Sequence, residues 1–113
     1  MIQQDLSDIL IGDEVKDIKI GHKGKEYIFR IKSLSWIKIN NILSRCIQYD
    51  KNRVTPDLGE FYSLYLEESL VEAPWPLAQT RMYLRKLDNT FGNKLREYLP
   101  SPFEVEDDEL KKE

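Results

Sequence analysis

The period of the hydrophobic positions changes along the chain, and each change predicts an element. In "VKDIKIGHKGKEYIFRIKSL", Ile18 and Ile20 alternate with charged residues, and Tyr27, Phe29 and Ile31 do the same with Glu26, Ile28, Arg30 and Lys32 around them. Period-two alternation of branched and aromatic side chains marks strands with one buried face. The linker "GHKG" supplies two glycines for a tight connection and places His22 in the turn. The pattern predicts a β-hairpin of about 15–20 paired with 25–32. An isolated hairpin is marginal in water, so it must lie on something.

Helical periodicity then takes over. Trp36, Ile39, Leu43, Cys46 and Ile47 form one stripe, with Ser33 or Ser35 available as cap and the helix running to about Tyr49. "YDKNRV" reads as a polar link. "TPDLGE" reads as a helix start, with Thr55 as N-cap, Pro56 at the first position and Asp57 near the positive dipole end. Leu58, Phe61, Tyr62, Tyr65, Leu66 and Leu70 give this second helix its apolar face. It is expected to end at Ala73, because Pro74 disfavours helical geometry in the residue before it. A third helix is expected from near Pro76 to Leu87, with Leu77, Leu84 and Leu87 inward. A fourth, capped by Asp88, carries Phe91, Leu95 and Leu99 and stops at "PSP". Gly92 inside it costs about 1 kcal/mol against Ala, so this helix depends on tertiary packing. Ahead of the hairpin, Ile2, Leu6, Ile9 and Leu10 have helical spacing with Gly12 as a stop, which fits a short helix or a partly ordered arm.

The predicted fold class is α+β: a single small domain in which one antiparallel β-hairpin packs on about four α-helices. A chain of 113 residues fits one core, and 41% hydrophobic with 33% charged residues is a globular rather than a disordered composition. The net charge of −3 is unevenly placed. Residues 103–113, "FEVEDDELKKE", hold six acids and two lysines, net −4, so the remainder sums to about +1. The expected division is a mostly helical domain over 1–102 and a flexible acidic tail over 103–113. Every apolar run is far shorter than the roughly 20 residues that span a bilayer. "MIQQDLSDIL" has acids where a secretory leader would be basic, and the single cysteine, Cys46, cannot form an internal disulfide. Both features fit a cytoplasmic protein.

Candidate chemistry adds little. His22 is the only histidine, and with Cys46 it falls short of a metal ligand set. Cys46 lies on an apolar stripe and reads as a buried small hydrophobe rather than an activated thiol. Glu67, Glu68 and Glu72 fall mostly off the apolar face of their helix and read as solvated charges. "GHKGK" lacks the spacing of a phosphate-binding loop. With neither acid–base nor metal residue sets in view, the expectation is a protein that is not an enzyme and takes no cofactor. Arg81, Arg85, Lys86, Lys94 and Arg96 make 81–96 locally basic with Tyr83 and Phe91 interleaved, which keeps a small regulatory nucleic-acid-binding protein as the alternative.

Aromatic residues are more informative. Phe61, Tyr62 and Tyr65 on one helix are more than a small core usually needs, and Tyr and Trp are enriched at interfaces. In "VEAPWP", Trp75 is held between two prolines, either as a peg into the core at a helix corner or as a ring presented to a partner. Tyr62, Tyr65, Trp75 and Tyr83 are therefore the candidate protein-contact residues.

The order of these phrases resembles the tail assembly chaperones of long-tailed phages and prophages. The resemblance rests on "YIFRIKSLSW", on Val71–Trp75, on the Leu87–Asp88 step, on Phe91–Gly92 with Leu95, and on Pro100–Pro102, covering about residues 15–103. The tail "EDDELKKE" lies outside the pattern. The resemblance implies a non-enzymatic protein that binds the tape measure protein and helps recruit tail tube subunits in the host cytoplasm, with self-association possible and no membrane or small-molecule substrate. It also implies a longer form made by ribosomal frameshifting, for which Lys111-Lys112 is the expected slip site.

Overall fold

Lys23 and Gly24 both take positive φ, 51° and 79°, and form a two-residue turn that suits the right-handed twist of the strands it joins. In the computed structural model, which describes residues 4–50 and 53–101, this turn connects β1 (Val15–His22) to β2 (Lys25–Lys32). Their antiparallel register pairs Ile18 with Phe29 and Ile20 with Tyr27. The hairpin is longer than its hydrophobic pattern indicated. Gly21 and His22 belong to β1, and His22 pairs with Lys25 instead of sitting in the turn.

Alternation then separates the two faces. Ile18, Ile20, Phe29 and Ile31 are buried, whereas Asp17, Lys19, Glu26 and Ile28 are exposed. Arg30, on the outer face, reaches Asp17 across β1 at 3.0 Å and Glu72 on its other side at 3.7 Å. Glu72 belongs to β5 (Leu70–Glu72), which pairs antiparallel with β2 and makes a three-stranded sheet of order β1-β2-β5. A register irregularity lies between Arg30 and Ile31.

Four α-helices accompany this sheet, so the structure is α+β as expected. Helix α1 (Trp36–Arg45) is capped by the Ser35 hydroxyl, which accepts from the Lys38 N–H. It stops at Arg45 rather than near Tyr49. Ile47–Asp50 (β3) instead pairs with Arg53–Pro56 (β4), so the supposed polar link is a second hairpin. The Asp57 N–H closes that hairpin by donating to the Cys46 carbonyl at 2.7 Å. The buried stripe of α1 is centred on Ile42 and Cys46, with Ile39 and Leu43 half-buried beside them. Trp36, expected inward, begins the helix at the edge of that stripe and is 76% exposed.

Helix α2 (Leu58–Ser69) starts two residues later than the threonine signal indicated. Thr55 and Pro56 complete β4, and Asp57 is the cap: one carboxylate oxygen accepts from the Glu60 N–H and the other from the Gln48 amide. The helix also ends earlier than Ala73, because Leu70–Glu72 is drawn onto the free edge of β2. Lys38 and Glu68 link α1 to α2 at 3.3 Å. The expected third helix is a 3-10 turn (Leu77–Gln79) followed by the short α3 (Thr80–Arg85), and Leu77 is exposed while Leu84 and Leu87 are half-buried. Helix α4 (Asn89–Arg96) is capped by Asp88, and Phe91, Leu95 and Leu99 are buried as their spacing requires. Helix α4 packs on β1 and α2 on β2, which places the core between the sheet and the helices. Ahead of β1, residues 4–14 contain one short 3-10 turn (Ser7–Ile9), and Leu6, Ile9, Leu10 and Ile11 are all exposed. The acidic tail over 103–113 lies outside the described residues.

Two substitutions probe this packing. A Cβ added at Gly92 would meet only Leu87 Cδ2, at an ordinary 3.6 Å. Gly92→Ala is therefore expected to stabilise by about 0.5–1 kcal/mol, seen as a rise in Tm. The Ser69 hydroxyl is buried and has no hydrogen-bond partner among the described residues. Ser69→Ala is expected to be neutral or stabilising in urea unfolding, since it removes an unsatisfied polar atom; a loss above about 1 kcal/mol would show that the hydroxyl is bonded in solution.

Candidate protein-contact surface

Between β5 and the 3-10 turn the chain runs through Pro74, Trp75 and Pro76. Trp75 is 9% exposed, and its ring lies between two others. It meets Phe29 in a T-shaped pair at 5.2 Å between centroids, and stacks on Tyr83 at 5.4 Å with 9° between the planes. The indole N–H donates to the Thr80 hydroxyl at 3.1 Å, and that hydroxyl donates to the Leu77 carbonyl at 2.8 Å. Both polar groups are buried and both are satisfied, so the corner costs little to dehydrate. Trp75 is thus the core peg of the two roles its sequence context allowed. The acceptor, Thr80, was not singled out from sequence; the signal for it was the need of any buried indole N–H for a nearby partner.

Beyond the peg, Tyr83 is 39% exposed and rims a hollow of about 330 Å³. Tyr27, Pro74, Trp75, Phe91 and His22 supply its aromatic and apolar walls, with Lys86 and Asp88 at its polar margin. Phe91 makes T-shaped contacts with Tyr27 at 5.3 Å and with His22 at 5.5 Å. His22 is therefore a wall residue rather than a solvated turn residue. Its Nε2 lies 3.7 Å from Asp88, whose carboxylate accepts from the Phe91 N–H at 3.0 Å. That backbone bond, aided by the nearby His22 and Lys23 charges, holds the Asp88 carboxyl below its ordinary range.

A second concavity of about 420 Å³ runs between α2, α3 and α4. Leu58, Tyr62, Leu66, Leu84, Leu87, Leu95 and Leu99 line it, together with Arg81, Arg85 and Arg96. Arg81 is committed to the fold: its guanidinium donates to Glu60 at 3.1 Å and to Glu67 at 2.6 Å, clamping α3 onto α2. Those two carboxylates hold it firmly in its charged form. Arg85 and Arg96 have no carboxylate within ion-pair distance among the described residues.

The four sequence candidates do not share one surface. Tyr65 is buried beside Phe61, and Trp75 is buried at the corner. Tyr62 lines the leucine groove, and Tyr83 the aromatic hollow. The glutamates diverge as well: Glu67 meets Arg81, Glu68 meets Lys38 and Glu72 meets Arg30. Of the basic set, Lys94 donates to the Gly21 carbonyl at 2.8 Å, Lys86 borders the hollow, and Arg85 and Arg96 face the groove without a carboxylate partner among the described residues. Cys46 is buried and its thiol donates to the Ile42 carbonyl. Burial first, then the Glu60 and Asp57 charges, push that thiol above its ordinary range, the reverse of thiolate activation. Among the described residues, no cluster of His, Cys, Asp and Glu could hold a metal ion, and no helix is long and apolar enough to cross a membrane.

The chain matches no family model, no curated protein and no solved structure.

Trp75→Ala is expected to cost about 3–5 kcal/mol in urea or thermal unfolding, enough to unfold a small domain. Thr80→Val keeps the shape but strands the indole N–H, and is expected to cost about 1–3 kcal/mol.

Proposed function

We propose that this protein is a non-enzymatic tail assembly chaperone of the long-tailed phage and prophage type, binding tape measure and tail tube proteins in the host cytoplasm. Its ordered phrases, from "YIFRIKSLSW" to "PSP", support the family reading. One observation carries the contact role. The phrase Val71–Trp75, central to the resemblance, also positions the Trp75–Tyr83 stack, which presents a rigid aromatic ring at the rim of an apolar hollow. A ring pre-ordered by stacking loses little entropy on binding, and aromatic anchors in apolar hollows carry much of the energy of protein interfaces. A long helical client offers apolar side chains at i, i+3 and i+4 to such a hollow.

The nucleic-acid alternative draws less support. Arg81 is neutralised by two carboxylates, Lys94 is bonded to a backbone carbonyl, and the remaining cations are divided between two concavities.

Co-expression with the long helical tape measure protein of the same gene cluster tests the reading. The client's soluble fraction is expected to rise with this chain, and Tyr83→Ala is expected to leave the fold intact while weakening client binding tenfold or more. A client no more soluble with the chain than without it overturns the proposal.

A further inference from the structure

The leucine groove between α2, α3 and α4 continues past its own rim. A hollow of about 330 Å³ lies at its end, lined by Leu58, Tyr62, Arg96, Glu97, Leu99 and Ser101. Leu58, Tyr62, Arg96 and Leu99 also line the groove, so the two form one surface. Ser101 is where the described chain ends. The chain therefore passes out of the described structure at the edge of the groove.

The sequence that follows is complementary to this surface. In "PFEVEDDEL", Phe103 and Val105 alternate with Glu104 and Glu106, and Asp107, Asp108 and Glu109 come next. An extended segment with that alternation has one apolar edge and one acidic edge. Pro102 disfavours helical geometry in the residue before it, which favours an extended exit. Phe103 stands two residues, about 7 Å of extended chain, beyond Ser101. Arg85 and Arg96 border the groove without a carboxylate partner among the described residues. Of the carboxylates along this surface, Glu60 is taken up by Arg81, and Glu97 lines the outer hollow.

From this continuity and charge complementarity we infer that residues 103–107 fold back into the groove of their own chain. Phe103 and Val105 enter among the leucines, and Glu104 and Glu106 meet Arg96 and Arg85. Tethered two residues from Ser101, Phe103 is held near the groove at an effective concentration on the order of millimolar, so weak contacts suffice. Apolar burial supplies the affinity, and the ion pairs supply orientation and salt dependence. Docked, the segment shields the leucines from water, and any partner that enters the groove must displace it. The contact leaves the Tyr83 hollow open and does not rest on the chaperone reading.

A spin label on the full chain tests the contact. Asp108→Cys carries the label, since Cys46 is buried and out of reach of the reagent. In the nuclear magnetic resonance spectrum, the methyl signals of Leu58, Leu66 and Leu99 are expected to lose more than half their intensity. Those of Leu34, which follows the Ile31–Leu70 pair at the other end of α2, are expected to keep theirs. The loss is expected to weaken toward roughly 1 M salt, where the Debye length is about 3 Å. Phe103→Ser is expected to abolish it, and so is Arg85→Glu combined with Arg96→Glu. Adding Glu104→Lys and Glu106→Lys to the arginine variant is expected to restore it. Both arginines are exposed, so the reversed charges are expected to leave Tm within a few degrees. Groove signals untouched by the label overturn the inference. So does a loss that survives either set of variants, and so does a charge-reversed tail that fails to restore it. A sample mixing spin-labelled chains with separate isotope-labelled chains is expected to show no loss; a loss there would place the segment on another copy and overturn the contact within one chain. Failed client solubilisation with the tail contact intact would count against the chaperone reading alone.

Discussion

The contact between Trp75 and Phe29 joins the two halves of the structure. Phe29 belongs to the central strand of the three-stranded sheet, and Trp75 stands where the chain leaves that sheet for the short helices. Pro74 and Pro76 restrict the backbone on either side, which lowers the entropy lost in placing so large a ring. Thr80 then satisfies the indole N–H and passes the bond to Leu77, so the start of α3 is tied to the same ring. Tyr83 packs against the outer face of the ring one helical turn later. The position of α3, and with it both concavities, follows from where this tryptophan sits.

Charge pairing reinforces an arrangement that apolar burial has already chosen. Arg81 locks α3 to α2 through Glu60 and Glu67, Lys38 meets Glu68 between α1 and α2, and Arg30 bridges all three strands on the outer face. These groups are largely exposed, so each pair contributes about 0–1 kcal/mol. Their effect is on orientation, and above all on which cations remain for partners. Arg81 is taken up by two carboxylates, while Arg85 and Arg96 stand beside the leucines of the groove. That difference leaves a leucine-lined groove with two arginines at its edge.

Two concavities that share Leu87 thus have different chemistry. One is aromatic, rimmed by Tyr83; the other is aliphatic, bordered by two arginines that have no carboxylate partner among the described residues.

The local signals in the sequence were sufficient for much of the fold. Period-two alternation placed β1 and β2, because a strand with one wet face must alternate. Ser33 or Ser35 marked the start of α1, of which the structure uses Ser35, and Asp88 marked the start of α4, because capping depends on a hydroxyl or carboxylate within three residues of the N–H it accepts from. The spacing of Phe91, Leu95 and Leu99 identified the buried face of the last helix, and the single-domain α+β class followed from these pieces. Tertiary structure decided the rest. Residues 47–50 and 70–72 continue helical patterns by composition, yet both become strands, since β4 offers the first a backbone partner across a short turn and the open edge of β2 offers the second one far earlier in the chain. Tyr65 and Tyr83 look alike in the sequence and differ in burial only because one faces Phe61 and the other leans on Trp75 from outside. Which arginines are neutralised is likewise unreadable from spacing, because Glu60 and Glu67 lie on another helix. A sequence specifies periods and caps, which act within a few residues; pairing across the fold depends on which groups meet in space.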